Sequence, residues 1–188
     1  MAAPTAIHFT GDDEADRLLA RSPLALLIGF ALDQQITVQQ AFSGPLKLEQ
    51  RLGHLDAARI AAMDLAELEA AFRERPAVHR FPGAMAKRVQ ALCAAIEEGY
   101  DGHAERVWTT APDGVELERR IRALPGFGDM KVVGLGSTLA LRLGVKVADG
   151  LVPDHPCLGA VDSPEALEAY QAAKRAHKAA RRAAAAAP

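Results

Sequence analysis

Residues 115–144 read VELERRIRALPGFGDMKVVGLGSTLALRLG, and they contain two runs whose apolar residues recur at helical spacing. In the first run, apolar side chains alternate every three or four residues with Glu and Arg, which is the pattern of an amphipathic helix. The second run repeats that spacing with Met, Val and Leu. Between the two runs lies the turn LPGFG, residues 124–128. The stretch therefore predicts two helices joined by a tight turn.

The composition of this turn predicts a helix-hairpin-helix element that contacts the phosphates of nucleic acid. Glycine permits positive φ and a close approach of another backbone, and Phe127 between the two glycines can insert back between the helices. Amides at the start of the second helix point outward and attract an anion without reading sequence. The residues predicted to bind DNA here are Leu124, Gly126, Gly128, Met130 and Lys131. The alternative is a turn that only connects two helices.

The composition of the whole chain favours an all-helical protein. The chain has 188 residues, of which 49% are hydrophobic and only 5% aromatic, so it can bury a sizeable core. Its net charge of −2 argues against a protein that coats nucleic acid nonspecifically. Cys93 and Cys157 lie far apart, whereas an iron–sulfur cluster needs four thiolates. We therefore expect no metal ligands and no iron–sulfur cluster.

The ends of the chain give expectations about location. No segment has about 18 uninterrupted apolar residues, so we expect no transmembrane span and no membrane partner. The N-terminal MAAPTAIHFTGDDEAD lacks the layout of a signal peptide, and we expect a cytoplasmic, nucleoid-associated protein. The tail 171–188 holds five cations and no acid, and it is either a solvated helix end or a loose phosphate contact: Lys174, Arg175, Lys178, Arg181 and Arg182.

Three polar residues, Asp33, Gln34 and Gln35, interrupt an apolar segment near the N-terminus. Ser22 and Pro23 have the composition of a helix start, and the apolar pattern predicts a helix from Leu24 to about Gln40, followed by a break at Gly44-Pro45. Burying three such polar groups without partners would cost on the order of 1–3 kcal/mol each. They are therefore expected to face a groove or a polar network, or else to form an exposed patch.

A QQIT segment about ninety residues before LPGFG resembles the helix-hairpin-helix (HhH-GPD) superfamily of base-excision repair DNA glycosylases. The segment HRFPGAMAKRVQAL, residues 79–92, is similar to the connector and helix that precede the hairpin in that family. The resemblance covers roughly residues 16–150, and its style is closest to monofunctional members without an iron–sulfur cluster, such as 3-methyladenine DNA glycosylase. It implies two interlocked helical subdomains, with a glycosylase domain over 1–163, its hairpin at 115–144, and a C-terminal helix and basic tail over 164–188.

The resemblance also implies a chemistry on double-stranded DNA, in which a damaged base is flipped into a pocket. Gln35 would fill the gap that the base leaves, while Gln34 or Asp33 would contact the base or the neighbouring strand. A carboxylate would stabilise the positive charge at the sugar when the N-glycosidic bond breaks. The family spacing, nineteen residues beyond Met130, points to Asp149, with Asp154 and Asp33 as the other candidates.

One departure from the family pattern concerns lyase activity. Lyase-type members carry a lysine at the second position after the hairpin glycine, but this chain has Met130 there and Lys131 one residue later, turned by about 100° on a helix. We therefore expect Lys131 to contact phosphate or solvent, and the protein to be a monomeric, monofunctional glycosylase that needs no cofactor beyond a monovalent cation at the hairpin. The alternatives are a non-catalytic helix-hairpin-helix DNA-binding protein and a helical adaptor that binds proteins.

Overall fold

The computed structural model describes residues 4–185, except for the side chains of Lys178 and of residues 180–185. Within this range all regular secondary structure is helical and there is no strand, which confirms the predicted fold class. The basic-tail residues Lys178, Arg181 and Arg182 have side chains outside the described part.

The α-helices are α1 (Asp13–Arg21), α2 (Pro23–Leu32), α3 (Val38–Leu52), α4 (Ala57–Ala62), α5 (Leu65–Arg73), α6 (Pro82–Tyr100), α7 (Arg106–Thr109), α8 (Gly114–Ala123), α9 (Asp129–Leu141) and α10 (Pro164–Ala185). Two 3₁₀ helices span Lys146–Leu151 and Leu158–Ala160. No helix of residues 4–185 is long and apolar enough to cross a bilayer.

Two groups of helices meet along α2. In the first group α6 packs against α4 and α5, while α3 packs against α2. In the second group α9 packs against α8 and both 3₁₀ helices. Helix α2 contacts α3, α6 and α9, and every residue from Leu24 to Leu32 is buried. Because α2 is surrounded on all sides, it has no polar face, and one continuous apolar core runs through both groups.

The long helix predicted from Leu24 to Gln40 is wrong, because the structure divides it into α2 and α3. Helix α2 ends at Leu32, and α3 begins at Val38. Thr37 accepts a hydrogen bond from the Gln40 amide at 3.2 Å, and the Gln40 side chain accepts one from the Thr37 amide at 3.3 Å. This capping box starts a new helix where periodicity alone predicts a continuous one. Residues 33–37 therefore form a loop, called here the polar loop.

The predicted break at Gly44-Pro45 is also wrong, since α3 continues through both residues to Leu52. Proline inside a helix costs about 3 kcal/mol relative to alanine. Gly44 compensates by allowing a close contact: a Cβ there would lie 2.5 Å from Cδ1 of Leu32 and 3.2 Å from Cγ1 of Val78. Packing of the buried face of α3 against α2 therefore outweighs the local propensity to break.

Candidate functional site

The hairpin joins α8 to α9 as predicted, with Phe127 inserted into the core. Phe127 is 5% exposed, and its amide donates a hydrogen bond to the Leu124 carbonyl at 3.1 Å. Leu124 is buried as well, so that only its backbone is available at the surface of the hairpin. The apolar side chains of the turn thus anchor it, and the glycines form its outer surface.

The two glycines of the hairpin serve different purposes. Gly126 has a φ of 85°, a left-handed conformation that favours glycine, and a Cβ there would lie 2.6 Å from Cδ of Arg88. Gly128 has a φ of −97°, which any residue can adopt, and no atom lies within 4 Å of where its Cβ would be. Gly126 is therefore required by the turn, whereas Gly128, directly before α9, leaves the surface open at the start of that helix.

The start of α9 is a surface to which an anion can bind. No side chain of the described residues caps this helix at Gly128, and Met130 in its first turn is 77% exposed. Asp129 also lies in this turn, where its carboxylate would oppose a phosphate. Arg122 binds that carboxylate but also contacts Glu118 at 2.7 Å, so it compensates the negative charge of Asp129 only in part.

A buried histidine, His79, holds the backbone of the polar loop in place. His79 Nδ1 accepts a hydrogen bond from the Phe81 amide at 3.0 Å, which assigns the proton to Nε2. Nε2 then donates to the Gln34 carbonyl at 3.0 Å. Burial lowers the pKa of His79, mainly through desolvation of the charged form. His79 therefore fixes the loop backbone as a neutral imidazole.

Gln35, next in the loop, is exposed in a strained conformation. Its φ of 58° lies in the left-handed region, which non-glycine residues adopt at a cost. It borders a cavity of about 620 Å³ whose lining includes Lys47, His79 and Arg80. Strain of this kind is typical of functional positions, because the surrounding structure must hold it.

Arg88 of α6 lies between the polar loop and the hairpin. Its guanidinium donates to Oε1 of Gln34, and its side-chain stem fills the space beside Gly126. The segment 79–92 indicated a helix ahead of the hairpin but not this bridging role. The surface between the polar loop, the hairpin and α10 is called the candidate cleft.

Asp33 and Lys131 lie close enough in this cleft for each charge to act on the other. The Lys131 Nζ donates to the Ala31 carbonyl at 2.9 Å, so Lys131 faces the end of α2, whereas the sequence predicted a contact with phosphate or solvent. Desolvation and then Arg88 lower the pKa of Lys131 to about 8, while Asp33 opposes that change. Burial raises the pKa of Asp33, and the ammonium groups of Lys174 and Lys131 oppose that rise. Asp33 is thus a half-buried carboxylate flanked by two cations.

The other two carboxylates lie elsewhere. Asp149 is exposed in the first 3₁₀ helix, which packs against α8 and α9. Asp154 is exposed in the segment that follows. Two charged groups shift the pKa of Lys131, and they are Arg88 and Asp33 rather than Asp149 or Asp154. Of the three sequence candidates, Asp33 is therefore the one placed beside the hairpin lysine.

The C-terminal helix α10 returns to the cleft, which sequence reasoning missed. Leu167 is buried in the core, and the Gln171 side chain donates to Oε1 of Gln39 on α3 at 2.9 Å. This contact brings Lys174 near Asp33, with its Nζ 5.5 Å from the centre of the Tyr170 ring. Tyr170 is half-buried, and this burial raises the pKa of its phenol.

A helix pair with a buried turn residue, an uncapped second helix and a polar loop across a cleft defines a helix-hairpin-helix protein. The family model described as HhH-GPD superfamily base excision DNA repair protein matches residues 28–183, and the chain belongs to this superfamily. The chain has no significant match to a curated protein or to a solved structure. Membership supports DNA binding and a base-excision repair function of the DNA glycosylase type.

Proposed function

We propose that this protein is a monofunctional DNA glycosylase that hydrolyses the N-glycosidic bond of a damaged base in double-stranded DNA, with Asp33 as its carboxylate. The observation that carries the proposal is that Asp33 is half-buried in the cleft, within range of the charges of Lys131 and Lys174. The exposed Asp149 and Asp154 are the other candidates for this role. We further expect a cytoplasmic monomer that requires no organic cofactor.

The proposed reaction develops positive charge on the sugar. Water adds to C1′ while the bond to the base breaks, the base leaves with the bonding electron pair, and the proton released by water is taken up by base or solvent. A fixed carboxylate beside C1′ stabilises this charge more strongly than bulk water does. Asp33 must be ionised for this role, and the neighbouring ammonium groups favour its ionised form against the effect of burial.

The surfaces around Asp33 would hold the DNA. Amides at the start of α9 would bind a phosphate, and the open surface at Gly128 would let the strand approach. Gln35 would occupy the gap left by the flipped base, and Gln34, oriented by Arg88, would contact the neighbouring strand. A monovalent cation would fit the turn at the Leu124 carbonyl oxygen, which accepts one amide hydrogen bond, from Phe127, and keeps a second lone pair.

The test is a single-turnover base-release assay on duplexes that carry alkylated, deaminated or oxidised bases. Asp33→Asn should slow release by roughly a hundredfold or more with DNA binding retained, since it removes the stabilising charge. Asp149→Asn and Asp154→Asn serve as matched controls that should release base at the wild-type rate. Loss of release in either control, but not in Asp33→Asn, would reassign the carboxylate.

The Lys131 amine favours a second candidate, lyase activity. With a pKa of about 8, about a tenth of this amine is unprotonated at pH 7. A neutral amine can attack C1′ as the base leaves with the bonding electron pair; the sugar ring then opens, O4′ leaves C1′ and takes a proton, and a Schiff base forms. Borohydride would reduce that Schiff base to a stable covalent adduct, which Lys131→Gln should abolish. Absence of an adduct together with base release supports the monofunctional enzyme. Tight binding to abasic DNA without any release supports the non-catalytic alternative.

A further inference from the structure

The charges around Asp33 are predominantly positive. Lys131 of α9 and Lys174 of α10 act on Asp33, and Arg88 of α6 acts on Lys131. Three cations against one carboxylate leave two net positive charges at the cleft. A charged group that enters this site loses its hydration and interacts with these positive side chains instead. The site therefore disfavours a cation and favours a hydrogen-bond acceptor or an anion.

Each of these cations is positioned by the fold. Lys131 donates to the Ala31 carbonyl at 2.9 Å, and Arg88 donates to the Gln34 side chain. The helix that carries Lys174 is held at the cleft by the contact between Gln171 and Gln39. The stacked rings of His155 and His177, with centres 5.4 Å apart, hold the same helix one turn further on. The positive charge is therefore a built feature of the cleft.

The aromatic rings of the cleft are already occupied by lysine side chains. A pocket for a cationic base normally offers an open aromatic face. Here the Lys174 Nζ lies 5.5 Å from the centre of the Tyr170 ring, and the Lys131 Nζ lies 5.8 Å from that of Phe127. Phe30 packs edge-on against another core ring, and Trp108 lines a separate cavity of about 510 Å³ at the opposite end of α2. A cationic base would have to displace Lys174 to reach Tyr170, and the Phe127 ring is itself buried in the core.

From this arrangement we infer that the cleft selects bases whose damage is an added carbonyl oxygen, as in deaminated and oxidised bases, over bases that alkylation has made cationic. Ammonium and guanidinium groups only donate hydrogen bonds, so they match carbonyl acceptors. The inference rests on the proposed function, because it concerns the pocket that would receive the flipped base.

The test compares two groups of duplexes that differ only in the damaged base. One group contains uracil, hypoxanthine or 8-oxoguanine, which separates deaminated from oxidised bases, and the other contains N7-methylguanine or N3-methyladenine. Release rates are divided by the spontaneous rates, because cationic bases leave faster without an enzyme. We expect at least one carbonyl base to show a rate enhancement more than tenfold above that of either cationic base. An equal or larger enhancement for a cationic base would overturn the inference.

Binding to non-hydrolysable 2′-fluoro duplexes with the same bases separates this inference from the proposed function. Selective binding of the carbonyl group without any release would support the pocket and overturn the glycosylase. Release without selectivity in either assay would support the glycosylase and overturn the pocket.

Reversing the charge at Lys174 tests the cause of the selectivity. Lys174→Glu should shift the ratio of carbonyl to cationic base binding by at least tenfold toward the cationic base, and the milder Lys174→Gln should shift it in the same direction. Arg175→Glu is the matched control, because this exposed neighbour makes the same charge change one residue further along α10. An unchanged ratio in both Lys174 variants, or an equal shift in the Arg175 control, would contradict the role of Lys174.

Discussion

Replacing Gly128 with valine should separate DNA binding from folding. The φ of −97° suits valine, and the new side chain would meet no atom within 4 Å of its Cβ. Valine is a poorer N-cap than glycine, which costs about 0.5–1 kcal/mol, but it reduces the freedom of the unfolded chain by a similar amount. We therefore expect the free energy of unfolding to change by less than about 1 kcal/mol.

The loss of DNA affinity should be much larger. The valine side chain would stand where a phosphate approaches the first amides of α9. Losing two amide–phosphate hydrogen bonds at about 1.5 kcal/mol each weakens binding by about 3 kcal/mol, or roughly 150-fold in Kd. With one phosphate contact fewer, the slope of log K against log salt should also become shallower by about 0.9.

Fluorescence anisotropy with a labelled duplex at several salt concentrations measures both quantities, and urea unfolding measures stability. Gly99→Val is the matched control, because Gly99 is exposed near the end of α6 and its Cβ would also meet no atom within 4 Å. If Gly128→Val bound duplex with the wild-type Kd and salt slope, the hairpin would not hold a phosphate.

Three further variants test the residues around the hairpin. Gln35→Gly should change the free energy of unfolding by less than about 1 kcal/mol, because relief of the φ of 58° is offset by the greater freedom of the unfolded chain. It should weaken binding to duplexes with an extrahelical base more than to plain duplex, and equal losses on both duplexes would contradict the role in filling the gap. Asp129→Asn should tighten duplex binding severalfold at low salt by removing a negative charge and freeing Arg122, and weaker binding would show that the start of α9 does not face phosphate. Neutral His79 contributes stability that is full above its ordinary pKa of 6.5 and is lost as pH falls through its lower folded-state pKa. The stability difference between wild type and His79→Gln, from urea unfolding, should therefore shrink as pH falls from 7.5 to 5, and a constant difference would refute this.

The sequence alone determined the helical fold and the hairpin. Local signals specify these features, because helix periodicity, N-caps and turn glycines act over a few residues. Ser22 caps α2 ahead of Pro23, and Asp64 and Asp113 cap α5 and α8. Phe127 inserts into the core as its position between two glycines predicts.

Only the tertiary structure decided that α3 continues through Pro45 and which charged side chains lie near one another. Pro45 stays inside a helix because burial of that helix outweighs a local cost, and no local pattern shows the packing partner. Lys131 faces the end of α2 because α9 packs against α2, and Lys174, more than a hundred residues after Asp33, reaches the same cleft because α10 docks across it. Such contacts depend on how helices pack against one another, and that information is distributed over the whole core rather than carried by any one segment.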